Sequence, residues 1–410
     1  MVYILHISDL HLVVNPLWNN MKEAILYSVK EKLLDVPVGQ KLLIITGDFH
    51  NFAEGHFQQV NEFLPRLFEA MGIDPSEDVF VIPGNHDISK MIPKEIDREA
   101  LIMAIKHDSS MLYDRIEKLL LSYDGYLKLV KDLKIYKNDC GMRPVEVHVR
   151  TWRNRLKLLH LNTTLIADGK SKKDQMVDTL MATSDSIRQE LEEGQLPCIA
   201  IGHNSFFDLT EDHKKCLEAM FLQEYISAYL CGDRHQKNSV WEEELIHLEG
   251  GISGVKIPNI VSYRTSTDEN DTYSDFGMIW HIWDEESGHV SLEFMRWIPE
   301  DQGKLQLDGK DSYNFREIPR KKTDMKPASD QDRDDIWLSN PSLSKRGAYS
   351  IRPSDIRNFL LGGRCTWNLA FSNNQIVRRD IVDDLTQCAL EGGIYVLTGP
   401  GGEGKTTVLM

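Results

Sequence analysis

The sequence is poor in cysteine, in positive charge and in long apolar runs, and each shortage excludes a class of protein. Its 410 residues include six cysteines, none of them in a CxxC pair, which predicts reduced thiols rather than a disulfide framework or a zinc knuckle. Acidic side chains outnumber basic ones, 63 to 47, which gives a formal net charge of -16. This balance argues against a surface that coats nucleic acid broadly, but it still allows a local cationic or metal-lined cleft.

No apolar run approaches the ~20 residues that a membrane-spanning helix needs, so we expect no membrane partner. The chain passes from Met1 into the strand-like segment Val2–Leu5 without a basic stretch, so we also expect no signal peptide. With the reduced thiols, these features predict a cytoplasmic protein. Hydrophobic residues make up 41% of the chain, enough for a large core, and the length suits two or three domains.

Apolar runs and helical patterns alternate in the N-terminal part of the chain. Strands are predicted at 2–7, 42–45 and 79–83, with helices at 20–34 and 57–71 between them. This order is typical of βαβ units and predicts an α/β fold. We then expect a helical insertion at 95–135, strands at 145–149, 156–162, 198–201 and 229–231, a helix at about 174–192, and a closing hairpin within 257–297.

A residue able to bind a metal ion follows five of these predicted strands. The segments are Ser8-Asp9-Leu10-His11, Thr46-Gly47-Asp48, Gly84-Asn85-His86-Asp87, Gly202-His203-Asn204 and Gly232-Asp233-Arg234-His235. In an open α/β sheet, binding sites lie just beyond the carboxyl ends of the strands. The third segment alone suits an Asn-rich turn equally well. The occurrence of polar segments after five strands favours a shared site, because each buried polar group left unpaired costs roughly 2–7 kcal/mol.

In this order, the five segments resemble the signature of the calcineurin-like metallophosphoesterases, which reads D-x-H, G-D, G-N-H-[DE], H and G-H-x-H. The resemblance covers residues 1 to about 298 and implies a two-layered β-sandwich flanked by helices, with two metals at the strand ends. It implies that Asp9, His11 and His235 bind the first metal, that Asn85 and His203 bind the second, and that Asp48 bridges both. His86 would be the acid near the leaving group, with Asp87 orienting it.

The residue types suit this chemistry independently of the family. Mixed Asp, Asn and His ligands favour borderline-hard divalent ions such as manganese, iron or zinc. Paired metals about 3.5–4 Å apart can generate a hydroxide and hold both oxygens of an in-line displacement. An imidazole beside them can protonate a departing alkoxide.

The segment Gly232-Asp233-Arg234-His235 departs from the family pattern, because Asp233 replaces the first histidine of G-H-x-H. An anionic oxygen ligand would shift the second metal toward manganese or magnesium and away from zinc. We therefore expect manganese first, with iron, zinc or magnesium as alternatives. Two other interpretations stay open: Asp233 caps the turn after Cys231, or Arg234 pairs with Asp233 and draws it from the site.

Most of the remaining histidines have no comparable sequence context and are predicted to be structural. His50 and His56 are the exceptions, because they closely follow Asp48 and would be placed to contact substrate. From residue 300 to 345 the composition turns polar and aperiodic, which predicts a linker after a catalytic domain at 1–299. Helix-like patterning returns at 346–390 as a connector.

The last part of the chain, 391–410, begins with a strand-like segment and continues into a phosphate-binding pattern. It fits G-x-x-x-x-G-K-[ST] with the candidate residues Gly399, Gly401, Gly402, Gly404, Lys405, Thr406 and Thr407. The glycines would let backbone amides surround phosphates, Lys405 would reach the β/γ oxygens, and Thr406 would hold magnesium.

This C-terminal part resembles the entry to STAND-type P-loop ATPases that are fused to effector domains in bacterial defence proteins. Because the sequence stops at Met410, we expect a truncated segment that would use ATP and Mg²⁺ only in a longer protein.

Three function classes follow. The first is a metal-dependent phosphoesterase that acts as effector of a longer ATPase on DNA, RNA or a nucleotide, with self-assembly through the missing region. The second is a stand-alone phosphatase or phosphodiesterase acting on small molecules or phosphoproteins. The third is a non-catalytic scaffold, against which the nearly complete ligand set argues.

Overall fold

The computed structural model describes residues 1–12, 16–49, 57–88, 100, 121–136, 147–165, 191, 196–209, 211–223, 225–233, 245–248, 255–263, 276–298 and 304–316. The strands in this part of the chain are β1 (Val2–Ile7), β2 (Lys41–Ile45), β3 (Val79–Val81), β4 (His148–Trp152), β5 (Leu156–Leu161), β6 (Cys198–Gly202), β7 (Ile226–Cys231), β8 (Leu245–Leu248), β9 (Val255–Val261), β10 (Gly277–Trp283), β11 (His289–Ile298) and β12 (Lys304–Asn314). The helices are α1 (Pro16–Lys32), α2 (Gln58–Met71), α3 (Pro75–Asp78), α4 (Asp124–Asp132) and α5 (Glu211–Gln223).

The first sheet has six strands in the order β12-β11-β10-β1-β2-β3. β1, β2 and β3 are parallel neighbours, so their carboxyl ends meet at the same edge. β10 pairs antiparallel with β1, and β11 and β12 continue the antiparallel part. The predicted βαβ order and the closing hairpin are confirmed.

The second sheet also has six strands, in the order β4-β5-β6-β7-β9-β8. β5, β6, β7 and β9 are parallel, whereas β4 and β8 pair antiparallel at the two edges. As in the first sheet, the strands followed by predicted ligands, β6 and β7, are direct neighbours. Both sheets therefore present candidate ligands at the carboxyl ends of adjacent parallel strands.

The two sheets pack face to face over a shared apolar interior. That cluster contains fully buried side chains from both, among them Ile4, Leu42, Ile201 and Leu230. The outer face of the first sheet is covered by α1, α2 and α4, and α5 covers that of the second. Strands buried on both faces are apolar at nearly every position, which is why β2 and β6 were readable as continuous runs.

α2 shows how closely helical spacing predicts packing. Its buried residues recur three and four apart, in the predicted pattern: Val60, Phe63, Leu64, Leu67, Phe68 and Met71. The helix ends at Gly72, whose left-handed φ of 65° lets its N–H reach the carbonyls of Phe68 and Glu69.

Two predicted boundaries are wrong. β4 begins at His148 rather than at 145, because its hairpin with β5 turns at Arg153 and Asn154, both with positive φ, and thereby sets the register. β12 lies within the predicted linker of 300–345. Only Tyr313 of this strand is buried, so an edge strand rich in charge left no apolar pattern to detect.

The compact unit that holds both sheets extends through Pro319, beyond the predicted domain end at 299. Several predictions lie outside the described residues: most of the insertion at 95–135, nearly all of the helix at 174–192, and everything from 317 onward. In the part of the chain that the structure describes, no helix combines the length and apolar character needed to cross a membrane.

Candidate metal centre

Predicted ligands from both sheets meet at one edge of the sandwich. Asp9 and His11 follow β1, Asp48 follows β2, Asn85 follows β3, His203 follows β6 and Asp233 follows β7. Asp48 from the first sheet and His203 from the second approach to 3.4 Å between Oδ2 and Nε2. The centre is therefore built across the interface of the two layers, as the strand-end pattern predicts.

Asp48 lies at the middle of this group. Its Oδ2 atom is 3.4 Å from His203 Nε2, 3.5 Å from His11 Nε2 and 4.0 Å from His86 Nε2. Its other oxygen, Oδ1, accepts a hydrogen bond from the backbone N–H of His86 at 2.9 Å. One oxygen is thus fixed by the backbone, and the other faces imidazoles contributed by both sheets.

Two triads able to hold a metal ion share Asp48. One consists of Asp9, Asp48 and His203, and the other of His11, Asp48 and His86; the ligand atoms of each lie within 4.8 Å of one another. This grouping differs from the expected one, in which Asp9 and His11 share the first metal. The two remain close, however, with His11 Nε2 3.7 Å from Asp9 Oδ1.

Four predicted ligands adopt backbone conformations that side chains rarely take. Asp9, His11, Asp48 and Asp233 have φ values of 51°, 38°, 56° and 66°. Such left-handed residues carry strain that the surrounding structure must over-determine, and they concentrate at functional sites. This backbone conformation changes the direction of the chain after each strand, at the residues that form the centre.

The glycines of the strand-end segments allow these loops to touch. Gly47 has a φ of 94°, and a Cβ there would lie 2.6 Å from the backbone nitrogen of Gly84. A Cβ on Gly84 would overlap the carboxylate of Asp48. A larger residue at Gly84 would therefore displace the Asp48 carboxylate, and one at Gly47 would push against Gly84 and the ring of His203.

Asp87 holds the loops at the ends of β2 and β3 together; its expected role in orienting His86 stays a prediction. Its Oδ2 accepts from the backbone N–H groups of Asp48 at 2.9 Å and Gly84 at 2.8 Å. Its Oδ1 accepts from the N–H of Phe49 at 2.9 Å. We call these three bonds the Asp87 clamp. Because the clamp spans the ends of β2 and β3, it fixes the position of Asp48.

The hydrogen bonds of His203 identify its ligand atom. Nδ1 lies 2.7 Å from the backbone oxygen of Thr46 and must donate to it, which directs Nε2 toward Asn85 Oδ1 at 2.8 Å. Burial opposes charge on this ring, but the carboxylates of Asp48, Asp233 and Asp9 raise the pKa of His203 well above its usual value. In the metal-free protein both ring nitrogens therefore carry protons, and a metal would displace the one on Nε2.

His86 differs from the other imidazoles in exposure and charge. Its side chain is 19% exposed, against 4% for His11 and 0% for His203. Burial lowers the pKa of His86 to about 4, despite the opposing pull of Asp48. The ring is therefore neutral at pH 7, and it is the most exposed of these three imidazoles.

Asp233 is buried and lies in the centre. Its Oδ1 is 3.8 Å from His203 Nε2, and its backbone N–H donates to Asp9 Oδ2 at 3.1 Å. Its proposed partner Arg234, the ligand His235 and the substrate-contact candidates His50 and His56 lie outside the described residues, as do Gly399, Gly401, Gly402, Gly404, Lys405, Thr406 and Thr407.

The donors present fit a divalent ion. Asp48 Oδ2 is buried without a hydrogen bond among the described residues. A buried carboxylate oxygen costs several kcal/mol when unpaired, unless a cation compensates it. Carboxylate, amide and imidazole donors together match borderline-hard divalent metals. The site therefore has the charge and the donors for a divalent ion, which would take the place of the charged His203 ring that lies 3.4 Å from Asp48 Oδ2 in the metal-free protein.

Comparison with known proteins agrees with this geometry. Residues 2–237, more than half of the chain, match the family model described as Calcineurin-like phosphoesterase. The chain belongs to the calcineurin-like phosphoesterase family. Its N-terminal part is therefore a calcineurin-like phosphoesterase domain.

The metallophosphoesterase is 24% identical over 339 residues to the metallophosphoesterase-like protein YydB of Bacillus subtilis (strain 168). The alignment covers 77% of this chain and 66% of YydB, so the chain spans less than two thirds of that relative. Among solved structures, GAP50 of Plasmodium aligns with 78% of this chain and 90% of its own, at 8% identity and a TM-score of 0.36. TT1561 of Thermus thermophilus aligns with 77% of this chain and 99% of its own, at 13% identity and a TM-score of 0.30.

Residues 357–410 match the family model described as Novel STAND NTPase 5. This match confirms the resemblance to STAND-type NTPases. It begins inside the predicted connector of 346–390, upstream of the predicted start at 391.

Sequence reasoning missed the residues that support the ligands. Thr46, Thr163 and Asn204 each bond to the centre through contacts formed only when distant strands meet. Thr46 and Asn204 gave a local signal, because they lie in the same strand-end segments as the predicted ligands Asp48 and His203.

Proposed function

We propose that this metallophosphoesterase hydrolyses phosphate mono- or diesters with two divalent metals bridged by Asp48. Asp9, His11 and His235 would bind the first metal, and Asn85, His203 and Asp233 the second. The observation that carries the proposal is the buried Asp48 Oδ2 atom, which faces imidazoles from both sheets at 3.4–3.5 Å. A carboxylate placed between two ligand sets suits a bridge better than a single site.

When bound, paired metals would activate a water molecule and stabilise charge on the phosphoryl oxygens. The chain's own residues set the geometry for this chemistry. The Asp87 clamp fixes Asp48, and Thr46 fixes the tautomer of His203. The two candidate ligand atoms, Asn85 Oδ1 and His203 Nε2, lie 2.8 Å apart.

His86 would supply the leaving-group proton, which is the role implied by the family pattern. Its side chain, partly exposed and more so than those of His11 and His203, supports this proposal. Since burial lowers the pKa of His86 to about 4, only a small fraction of the rings would be imidazolium at neutral pH, and this fraction would transfer the proton and return to neutral imidazole. A neutral imidazole can still polarise an oxygen that develops charge.

We further propose that the phosphoesterase unit is the effector of a STAND-type NTPase and acts on DNA, RNA or a nucleotide. The support is that the chain carrying the metal centre also matches a STAND NTPase model at 357–410. The division would then be a catalytic unit through Pro319 followed by a segment leading to the NTPase. A stand-alone phosphatase is the competing function.

A substrate panel tests the catalytic proposal. The protein should be incubated with manganese, zinc, magnesium or iron and with plasmid, single-stranded DNA, RNA, phosphoserine peptide and bis(p-nitrophenyl) phosphate. We expect diester hydrolysis that is highest with manganese and absent after chelation. Cleavage of the phosphopeptide alone would favour the stand-alone phosphatase. Hydrolysis that survives chelation would contradict metal dependence.

The effector proposal requires a protein that carries a complete NTPase domain. There, ATP should increase hydrolysis, and Lys405→Ala should remove the increase while the ATP-independent rate remains. An equal response to ATP in both proteins would contradict the effector role.

A further inference from the structure

Thr163, just beyond β5, uses its entire hydrogen-bonding capacity at the end of β6. Its Oγ1 accepts from the backbone N–H of His203 at 3.2 Å and of Asn204 at 3.0 Å. The same hydroxyl donates to Asn204 Oδ1 at 2.8 Å. A threonine hydroxyl has one proton and two acceptor positions, so all three are occupied.

This saturation determines which way the Asn204 amide faces. Because the Thr163 proton needs an acceptor, Oδ1 lies toward Thr163 and Nδ2 lies toward Asp233. Nδ2 donates to Asp233 Oδ2 at 2.9 Å. Reversing the amide would give Thr163 a third donor and place a carbonyl oxygen against the carboxylate. Both consequences are unfavourable in a buried site.

Asp233 is consequently fixed at three points. Asn204 holds Oδ2, Asp9 holds the backbone N–H at 3.1 Å, and the preceding residue, Gly232, donates its N–H to the His203 carbonyl at 2.8 Å. The remaining oxygen, Oδ1, lies 3.8 Å from His203 Nε2. Asp233 itself is 4% exposed. One oxygen is thus positioned by the protein while the other faces the centre.

We propose that Asn204, locked by Thr163, is a positioning residue that holds Asp233 as a single-oxygen ligand of the second metal and thereby favours manganese over zinc. The inference rests on the proposed two-metal function. An anionic oxygen donor favours harder ions. A metal-binding imidazole at this position would carry a proton on its other nitrogen, which would meet the Asn204 amide donor-to-donor. The local structure therefore matches an acid and disfavours the usual histidine.

The first experiment measures metal binding rather than activity. Titration calorimetry of the metal-free protein with Mn²⁺ should show two ions in the wild type. Asn204→Ala should weaken the second by about 10–100-fold, the usual cost of losing a residue that orients a ligand. Tyr229→Phe is the matched control, because Tyr229 donates only to the backbone oxygen of Asn204, at 2.8 Å. It should retain both affinities.

Thr163 variants test the lock separately. Thr163→Ser keeps the hydroxyl and should keep wild-type Mn²⁺ affinity, whereas Thr163→Val is nearly isosteric and should weaken the second ion. A purely structural role would lower the melting temperature of the metal-free protein without changing the relative affinities of the two ions. Equal affinities for the serine and valine variants would overturn the role of Thr163.

A reciprocal exchange is the sharpest test. Asp233→His alone should bind the second ion weakly, since its ring would face an amide donor. Asn204→Asp alone should also bind weakly, since two carboxylates would meet. The double variant restores a donor–acceptor pair and should recover binding, with the preference shifted from manganese to zinc.

The outcomes separate the two hypotheses. A wild type that binds fewer than two ions overturns the two-metal function and this inference with it. Two ions in the wild type with unchanged binding in Asn204→Ala overturn only the positioning role. Single variants that bind as the wild type does, or a double variant no better than either single one, also contradict it. Melting curves in chelator confirm which variants are folded.

Discussion

The two sheets hold their ligands by different means. In the first sheet, the Asp87 carboxylate grips backbone amides at the ends of β2 and β3, so the position of Asp48 follows from the main chain. In the second sheet, Asp233 is held by a side-chain relay through Asn204 and Thr163. In the first arrangement the position of the ligand depends on how the backbone folds. In the second, a substitution of a side chain can change the ligand's position while the strands stay in place.

This difference suggests where the centre is adaptable. The Asp48 carboxylate, which we propose as the bridge, belongs to the half held by backbone bonds and faces imidazoles from both sheets. The departure from the family pattern, Asp233, lies in the half that is held by side chains. A change of metal preference would therefore require few substitutions there.

The largest expected effect comes from replacing Asp48, the proposed bridge, in the half that is held by backbone bonds. Asp48→Asn keeps a residue that tolerates the φ of 56°, but it removes the charge that both sites share. We expect hydrolysis to fall by about 10³-fold or more and metal to be lost from both sites. Rates and metal content by mass spectrometry check this. A variant with full activity and two bound ions would show that the centre is not bridged by Asp48.

The next effect separates the His86 ring from its backbone. His86→Ala keeps the backbone N–H that donates to Asp48 Oδ1, so we expect both metals to stay bound. We expect rates on poor leaving groups to fall by about 10²–10⁴-fold, the usual range for a general acid. Activated aryl esters need no proton and should lose less. Equal losses on both substrate types would exclude the acid role.

A smaller effect tests the clamp itself. Asp87→Asn replaces one accepting oxygen with a donor that faces backbone N–H groups. We expect the unfolding free energy of the metal-free protein to fall by about 2 kcal/mol, as measured by urea denaturation. The exposed Asp132→Asn on α4 is the matched control and should change stability by less than about 0.5 kcal/mol. Similar values for both variants would mean that the clamp adds no stability.

The smallest expected effect concerns histidines buried inside the sandwich. Burial lowers the pKa of His6 to about 3 and those of His160 and His281 well below the usual value. The unfolded chain therefore binds protons that the folded one does not, so stability is present above pH 6.5 and is lost as the pH falls below it.

Replacing one of these histidines should flatten that dependence. Between pH 7 and 5.5, wild type should lose about 1.4 kcal/mol more unfolding free energy than His281→Leu. Two of these histidines, His6 and His281, lie in the first sheet with their rings 5.7 Å apart. Urea denaturation at the two pH values measures the difference, and parallel losses in both proteins would contradict a neutral His281.

Local patterns predicted the strands and ligands because buried parallel strands are continuously apolar and their ends are abruptly polar. β1, β2 and β6 needed no long-range information. The Asp87 clamp and the Thr163–Asn204 contact depend on which strands become neighbours, and the sequence shows no such pairing. β12 was not predicted for another reason: it is a polar edge strand that is stabilised by pairing with β11.

β12 has a consequence beyond the first sheet. Just after it, the backbone N–H of Arg316 donates to Ser227 Oγ at 2.9 Å. Its guanidinium donates to the carbonyls of Phe221, at 2.6 Å, and Leu222 at the end of α5. These bonds join the residue after β12, at the edge of the first sheet, to β7 and α5 of the second layer. A force applied to the chain at Arg316 would therefore act on both layers at once.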